Sequence, residues 1–277
     1  MNIILSVLYD KLRLYYRCSK NKSHFSDHPL QSLLLYTKGP LSQKYVYVAE
    51  ASELSSEDLT GMTVICAGTP GFDYKNSAFD MIIVEDAPDV KALFNRAQSI
   101  FLSLINWDDQ LKHISLDTAD LHKLIEESRK ELNFSFIFLN RFFIPAAVSN
   151  DLSPDGKLND KQMEMLTAIL QDASIGALRK FKNARIFHNP AYNKQGLCFN
   201  IYYNEDYRGK LLAIRDGNSE ISFADIYLFE NVCRHVEKVY ELFSASSIRL
   251  PGYIAMQRLM RAVLTGDSQY NRAEALD

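Results

Sequence analysis

Apolar residues along this chain recur at helical spacing in some stretches and run together in short blocks in others. Ile4, Val7, Leu8, Leu12 and Tyr15 share one face, interrupted by Lys11, and predict an opening amphipathic helix. A polar loop, CSKNKSHFSDHP, follows. Short apolar runs then predict strands over 33–36, 45–50 (YVYVAE), 62–68 (MTVICAG) and 79–85 (FDMIIVE). Strands this uniformly apolar fit a sheet covered on both faces. SSEDLTG, between the second and third, reads as a short capped helix ending at Gly61. Residues 1–87 therefore predict a small α/β layer domain.

Residues 88–114 predict one long helix, with Pro88 in its first turn. Its apolar stripe runs through Val90, Leu93, Phe94, Ala97, Ile100, Phe101, Leu104, Trp107, Leu111 and Ile114. Such a stripe fits packing within the chain and pairing with a second copy equally well.

A second unit begins after Ser115. The pattern gives a helix over 116–132 with Asp117 as its N-cap, then strands over 134–140 and 142–149, with Pro145 marking an edge or bulge. A helix over 161–179, a short strand over 184–188, strands over 197–203 and 210–215, and a helix over 225–243 follow. That order predicts an antiparallel sheet with helices on one face, an α+β unit. Leu250, Pro251 and Gly252 break the chain before a last amphipathic helix, 253–264, and a polar tail.

Composition narrows the function classes. The chain has 277 residues, 47% of them hydrophobic, enough for two domains with real cores. Lys and Arg number 31 against 34 Asp and Glu, for a net charge of −3, which argues against a large nucleic-acid surface. Cys18, Cys66, Cys198 and Cys233 lie far apart among apolar residues, without CxxC spacing, and read as buried free thiols of a reducing compartment. The N-terminal run lacks a basic start and a small-residue cleavage site, and no run reaches membrane-spanning length. A cytoplasmic protein that does not meet a membrane is expected.

Candidate chemistry is sparse. CAGTPGFD, 66–73, follows a strand and holds two glycines, but lacks phosphate-loop spacing and reads first as a turn. His122 and Glu126 are four apart on a helix without a second ligand pair, so no metal and no cofactor are expected. There is no GxSxG and no cysteine with a catalytic neighbourhood, so no catalytic residue is expected. The aromatic strands point instead to a ligand-lined sheet, with Phe136 and Phe138 as apolar cover and His188, Asn200, Tyr202 and Arg215 as orienting groups. The competing reading is that these aromatics are core.

The order of parts resembles a known family. SVLYDKLRLYY, YVYVAE, MTVICAG and FDMIIVE, with the long helix ending NWDDQLKHI, resemble the N-terminal region of PucR-type transcriptional regulators. FSFIFLNRFFIPAAVS, DYRGKLLAI and ISFADIYLFENVCRHVEKVYE resemble their GAF-like sensory domain. The resemblance covers Met1 to about Gly266. It implies α/β plus α+β architecture: an N-terminal α/β domain at 1–87, a connecting helix at 88–114, a GAF-like antiparallel sheet with flanking helices at 115–245, and a C-terminal helix and tail at 250–277. Such regulators usually carry a helix-turn-helix after the sensor. Here IAMQRLMRAVLTG resembles the helix leading into it, and then the chain ends.

The expectation is thus a sensory region that binds a small-molecule effector. It would form a homodimer and reach DNA only through a C-terminal domain absent from this chain. The alternatives are a ligand-free dimerisation scaffold, marked by a sheet face plugged with side chains, and an enzyme, marked by a cleft where a nucleophile meets a perturbed acid or His.

Overall fold

The computed structural model describes residues 1–75, 77–172, 175, 181–216 and 220–245; the helix expected at 253–264 lies outside the described residues. Among the described residues the architecture is mixed α/β, with two five-stranded sheets, one of them wholly antiparallel. The described residues fall into two compact units, one of Met1–Asp109 with Ser222–Tyr227, the other of Gln110–Ile221 with the residues from Leu228 on.

The first unit opens with helix α1 (Leu5–Leu12), whose Leu5, Val7, Leu8 and Leu12 are buried. The apolar spacing outlasts the helix, and Leu14 and Tyr15 stand exposed beyond it. Strands β2 (Ser32–Leu35), β3 (Tyr45–Glu50), β4 (Thr63–Ala67) and β5 (Asp80–Val84) run parallel. Strand β1 (Cys18–Lys20) adds antiparallel to β5, inside what the sequence presents as a polar loop. Three residues are too few for a periodicity to register.

Both faces of this sheet are filled. Tyr47, Val64, Cys66, Met81 and Ile83 form one face with Leu54, Leu59 and Phe79. Val46, Val48, Ile65 and Ile82, of opposite parity, are buried as well. The 66–73 loop is a turn: Gly68 has φ of 83°, the Cys66 thiol donates to its carbonyl, and Asp73 caps the Lys75 N–H.

Helix α2 (Val90–His113) buries the stripe Leu93, Ala97, Phe101, Leu104, Trp107 and Leu111 within the chain. A π-type turn over Ile114–Thr118 extends it, closed by Ala119 in the left-handed region. The expected N-cap therefore moves: Asp117 belongs to this turn, and Asp120 caps α3 (Leu121–Ser128) by accepting the Lys123 N–H at 3.1 Å.

The second sheet has the order β7–β6–β10–β9–β8. It comprises β6 (Ser135–Asn140), β7 (Pro145–Val148), β8 (Arg185–Asn189), β9 (Lys194–Tyr203) and β10 (Asp206–Asp216). Pro145 begins an edge strand, where a missing N–H costs no ladder bond. The β9–β10 turn is tighter than the sequence implies: Asn204 and Glu205, both at positive φ, make a two-residue hairpin, and a bulge at Tyr207/Gly209 re-aims the strand.

Helices cover both faces of this sheet, not one. On one side Ile137, Leu139, Cys198, Leu212 and Ile214 pack with Met165, Leu166 and Ile169 of α4 (Asp160–Leu170). That helix is started by a capping box between Asn159 and Gln162. On the other side Phe136 and Phe138 meet Phe229 and Tyr240 of α5 (Phe223–Ala245). Strands buried on both faces lose the alternation that would have announced this.

Candidate functional site

Strand parity divides the residues singled out in the sequence. In β10, Ala213 lies opposite Phe136 and Leu211 opposite Phe138, while Lys210 lies opposite Asn200. Side chains of successive residues point to opposite faces, so Phe136 and Phe138 share a face that Asn200 and Tyr202 do not. Phe136 stacks on Phe229 at 6.4 Å and Phe138 tilts against Tyr240 at 5.6 Å, both as fully buried core. His188 is exposed on edge strand β8. Arg215 lays its guanidinium over the Phe134 ring at 4.7 Å and donates to the Glu220 carbonyl, bracing the end of β10. One site holding all six is therefore replaced by a smaller grouping around Asn200 and Tyr202.

A residue not singled out joins them. Lys210 is 0% exposed, its Nζ donates to Asn200 Oδ1 at 2.5 Å, and the ammonium lies 4.5 Å from the Phe181 ring centroid. A buried ammonium loses its hydration, and one amide oxygen with one ring face replaces only part of it. Desolvation accordingly holds the Lys210 amine below its usual pKa, against a smaller opposing pull from Cys198. Burial pushes the Cys198 thiol up to about 12. The signal for Lys210 lies in its parity, because a lysine in phase with Leu212 and Ile214 on an interior strand points inward.

Two tyrosines extend this polar island. Asn200 Nδ2 stands 3.5 Å from the Tyr202 hydroxyl, at the outer limit of a hydrogen bond. Tyr202 meets Tyr207 edge-on at 5.9 Å, and Tyr207 meets Phe143 at 6.0 Å. Among the described residues the buried Tyr207 hydroxyl has no hydrogen-bond partner, and burial raises its pKa.

The island borders a cleft. Strand β8 pairs with β9 only from Lys194 to Cys198, so β9 from Phe199 onward presents a free edge on that side among the described residues. A cleft of about 350 Å³ opens there, at the small end of the range for ligand sites. Phe199, Asn200 and Tyr202 of β9 form one wall, and Lys182 with Asn183 another. Glu230, Arg234 and Glu237 of α5 complete it.

Backbone donors are capped by these carboxylates. Glu230 accepts the Ala184 N–H at 3.0 Å, and Glu237 accepts the Tyr202 N–H. Desolvation raises the Glu237 carboxyl, and the Tyr202 N–H and Arg234 only partly offset it. A free strand edge is thereby blunted by a charged side chain.

Ser115 Oγ and His235 Nδ1 are 3.2 Å apart, but the Ser115 hydroxyl donates its single proton to the Lys112 carbonyl and both residues are buried. Glu126 binds Arg129 and the Asn150 N–H, so it and His122 do not form a metal pair. Among the described residues no group of three or more His, Cys, Asp or Glu could hold a metal, and no helix is long and apolar enough to cross a membrane.

No protein-family model matches the chain, and no curated protein matches it. Solved structures do. A GAF domain assigned to a sensor histidine kinase from Pseudomonas syringae pv. tomato is 10% identical, covering 63% of this chain and 99% of its own, with a TM-score of 0.37. The E. coli DhaR(N)–DhaL complex is 12% identical over 59% of this chain and 56% of its own, with a TM-score of 0.29.

Proposed function

We propose that this chain is the ligand-sensing region of a transcriptional regulator, with its effector bound in the cleft at the free edge of β9. One observation carries the reading: Asn200 lies in the cleft wall and also holds the buried Lys210 ammonium. A ligand that competes for the Asn200 amide alters the only hydrogen bond that Lys210 makes among the described residues. Occupancy of the cleft and the state of the core are thus coupled through a single side chain. A ligand shifts such an equilibrium by the difference in its affinity for the two states. Helix α5 contributes three charged residues to the same cleft and carries the change along its length. On the resemblance to PucR-type regulators, the chain would act as a homodimer and reach DNA through a separate DNA-binding domain, since paired half-sites call for two copies.

The test is a thermal-shift screen of the chain against amino acids, nucleobases, nucleotides, aromatic acids and sugars. Saturable stabilisation is expected from one class, reaching about 2.7 kcal/mol at a hundredfold excess over Kd. Asn200→Ala is expected to weaken that ligand.

A second reading rests on the packing. Both faces of the antiparallel sheet are filled by side chains, as a ligand-free dimerisation scaffold requires. A flat screen, with the protein folded and dimeric in sedimentation, would favour the scaffold.

A further inference from the structure

The charges around the cleft form an alternating series. Glu230, Arg234 and Glu237 lie four and then three residues apart on α5, so they succeed one another along one face of the helix, negative, positive, negative. Lys182 adds a second cation from the opposite wall, and its carboxylate partner, Glu205, is itself exposed on the hairpin turn. The lining charges sum to zero, and Arg234 only partly offsets the desolvation that raises the Glu237 carboxyl. Among the described residues Arg234, Glu230 and Glu237 form no salt bridge, although they sit on adjacent turns.

Each carboxylate is placed to take a donor from the cleft. Glu230 and Glu237 each accept one backbone N–H, and a carboxylate offers about four lone-pair sites, so acceptor capacity remains. Glu237 is partly desolvated, which favours any cation that reaches it. Arg234 presents a guanidinium fork suited to a planar carboxylate. Phe199, on the face of β9 that α5 covers, supplies an apolar wall beside these groups.

Simple ions fit poorly. An anion bound at Arg234 has a carboxylate on either side of it along the helix, and a cation bound at Glu237 has Arg234 beside it. In each case the second charge opposes binding. A molecule carrying both signs at short separation meets both demands. Resting on the sensor reading above, we infer that the cleft takes a free α-amino acid, its ammonium on Glu237 and its carboxylate on Arg234, with the side chain against Phe199. A volume of about 350 Å³ admits such a molecule whole.

The experiment is calorimetric titration of the chain with each of the twenty common L-amino acids, alongside the nucleobase, nucleotide, aromatic-acid and sugar panel. For any amino acid that binds, its N-acetyl and C-amide derivatives are titrated too. The expected result is saturable binding of at least one amino acid, weakened at least tenfold by either modification. Arg234→Gln and Glu237→Gln should each weaken it at least tenfold. Arg234 is exposed, so its variant keeps the wild-type Tm without ligand and separates binding from folding.

Three outcomes overturn the inference. No amino acid binds; or one binds equally well when acetylated or amidated; or one binds Arg234→Gln as tightly as wild type. Binding of another panel class, weakened by Asn200→Ala, would remove the amino acid and leave the sensor. Binding of nothing at all would remove both.

Discussion

Lys210 Nζ lies 2.5 Å from Asn200 Oδ1 across the β9–β10 ladder, and neither side chain reaches solvent to any useful extent. The pair occupies a position where Leu212 and Ile214 show that hydrocarbon would fit. Replacing both partners by apolar residues, Lys210→Met with Asn200→Leu, removes a desolvated charge together with the amide oxygen that holds it. The double variant is expected to be more stable by on the order of 1–4 kcal/mol. Asn200→Leu alone strands the ammonium and is expected to destabilise by about 1–3 kcal/mol or more. Urea titration checks both, as shifts in midpoint at constant slope.

The same amine sets a pH dependence with a definite sign. Its folded-state pKa is depressed, and the unfolded lysine titrates near about 10.4. Between those two values the unfolded chain binds more protons, so stability rises with pH. Below the window the cost of the buried charge is constant. Burial raises Tyr207 and Cys198 instead, so those groups act with the opposite sign at alkaline pH. The difference between wild type and Lys210→Met reports the lysine together with its coupling to Cys198. As the pH rises toward the unfolded value near about 10.4, the stability advantage of Lys210→Met should shrink. An advantage that stays constant would mean that Lys210 is charged throughout.

How far the sequence reveals this arrangement depends on the kind of signal each part emits. The buried stripe of α2 and the strands β3, β4, β5 and β6 were legible because long periodicities and dense apolar runs survive without knowledge of partners. Strand β1 was not, because three residues held by pairing to β5 carry no period of their own. The faces of the antiparallel sheet were misjudged for a related reason. Phe136 and Phe138 look like pocket lining in isolation, and only the register to Ala213 and Leu211 places them away from Asn200. The cleft is less visible still. Glu230, Arg234 and Glu237 read as an ordinary solvated helix face until the end of β8 leaves the β9 edge open beside them.

Gly209 offers a test of that register. A Cβ built there would lie 2.1 Å from the Leu139 carbonyl oxygen and 2.7 Å from a Phe138 ring carbon. At this position β10 runs so close to β6 that only a glycine fits. Gly209→Ala is expected to cost about 1–3 kcal/mol, as overpacking does when backbone must move. Gly39→Ala, with nothing within 4 Å of its new methyl, is the control and should stay within about 0.5 kcal/mol of wild type. Paired thermal melts settle the comparison.

Asp151 ties the end of β7 to its surroundings. Burial works to raise its carboxyl, but hydrogen bonds from Ser135 at 2.5 Å and Ser149 at 2.6 Å, with the Arg129 guanidinium at 3.2 Å, outweigh that and hold it below the ordinary value. Ser149 in turn accepts the buried Phe136 N–H at 2.8 Å, so the carboxylate organises the start of β6 at second hand. A depressed folded-state pKa means the unfolded chain binds more protons as the pH falls past about 4. The contribution of Asp151 is present above that pH and is lost as the pH drops through the folded-state value. Asp151→Asn should therefore lower the Tm at pH 7 and converge on wild type in acid. Melts recorded between about pH 7 and pH 2.5 read this directly. Two curves that stay parallel to the lowest pH would assign the loss to altered hydrogen bonding, not to the charge.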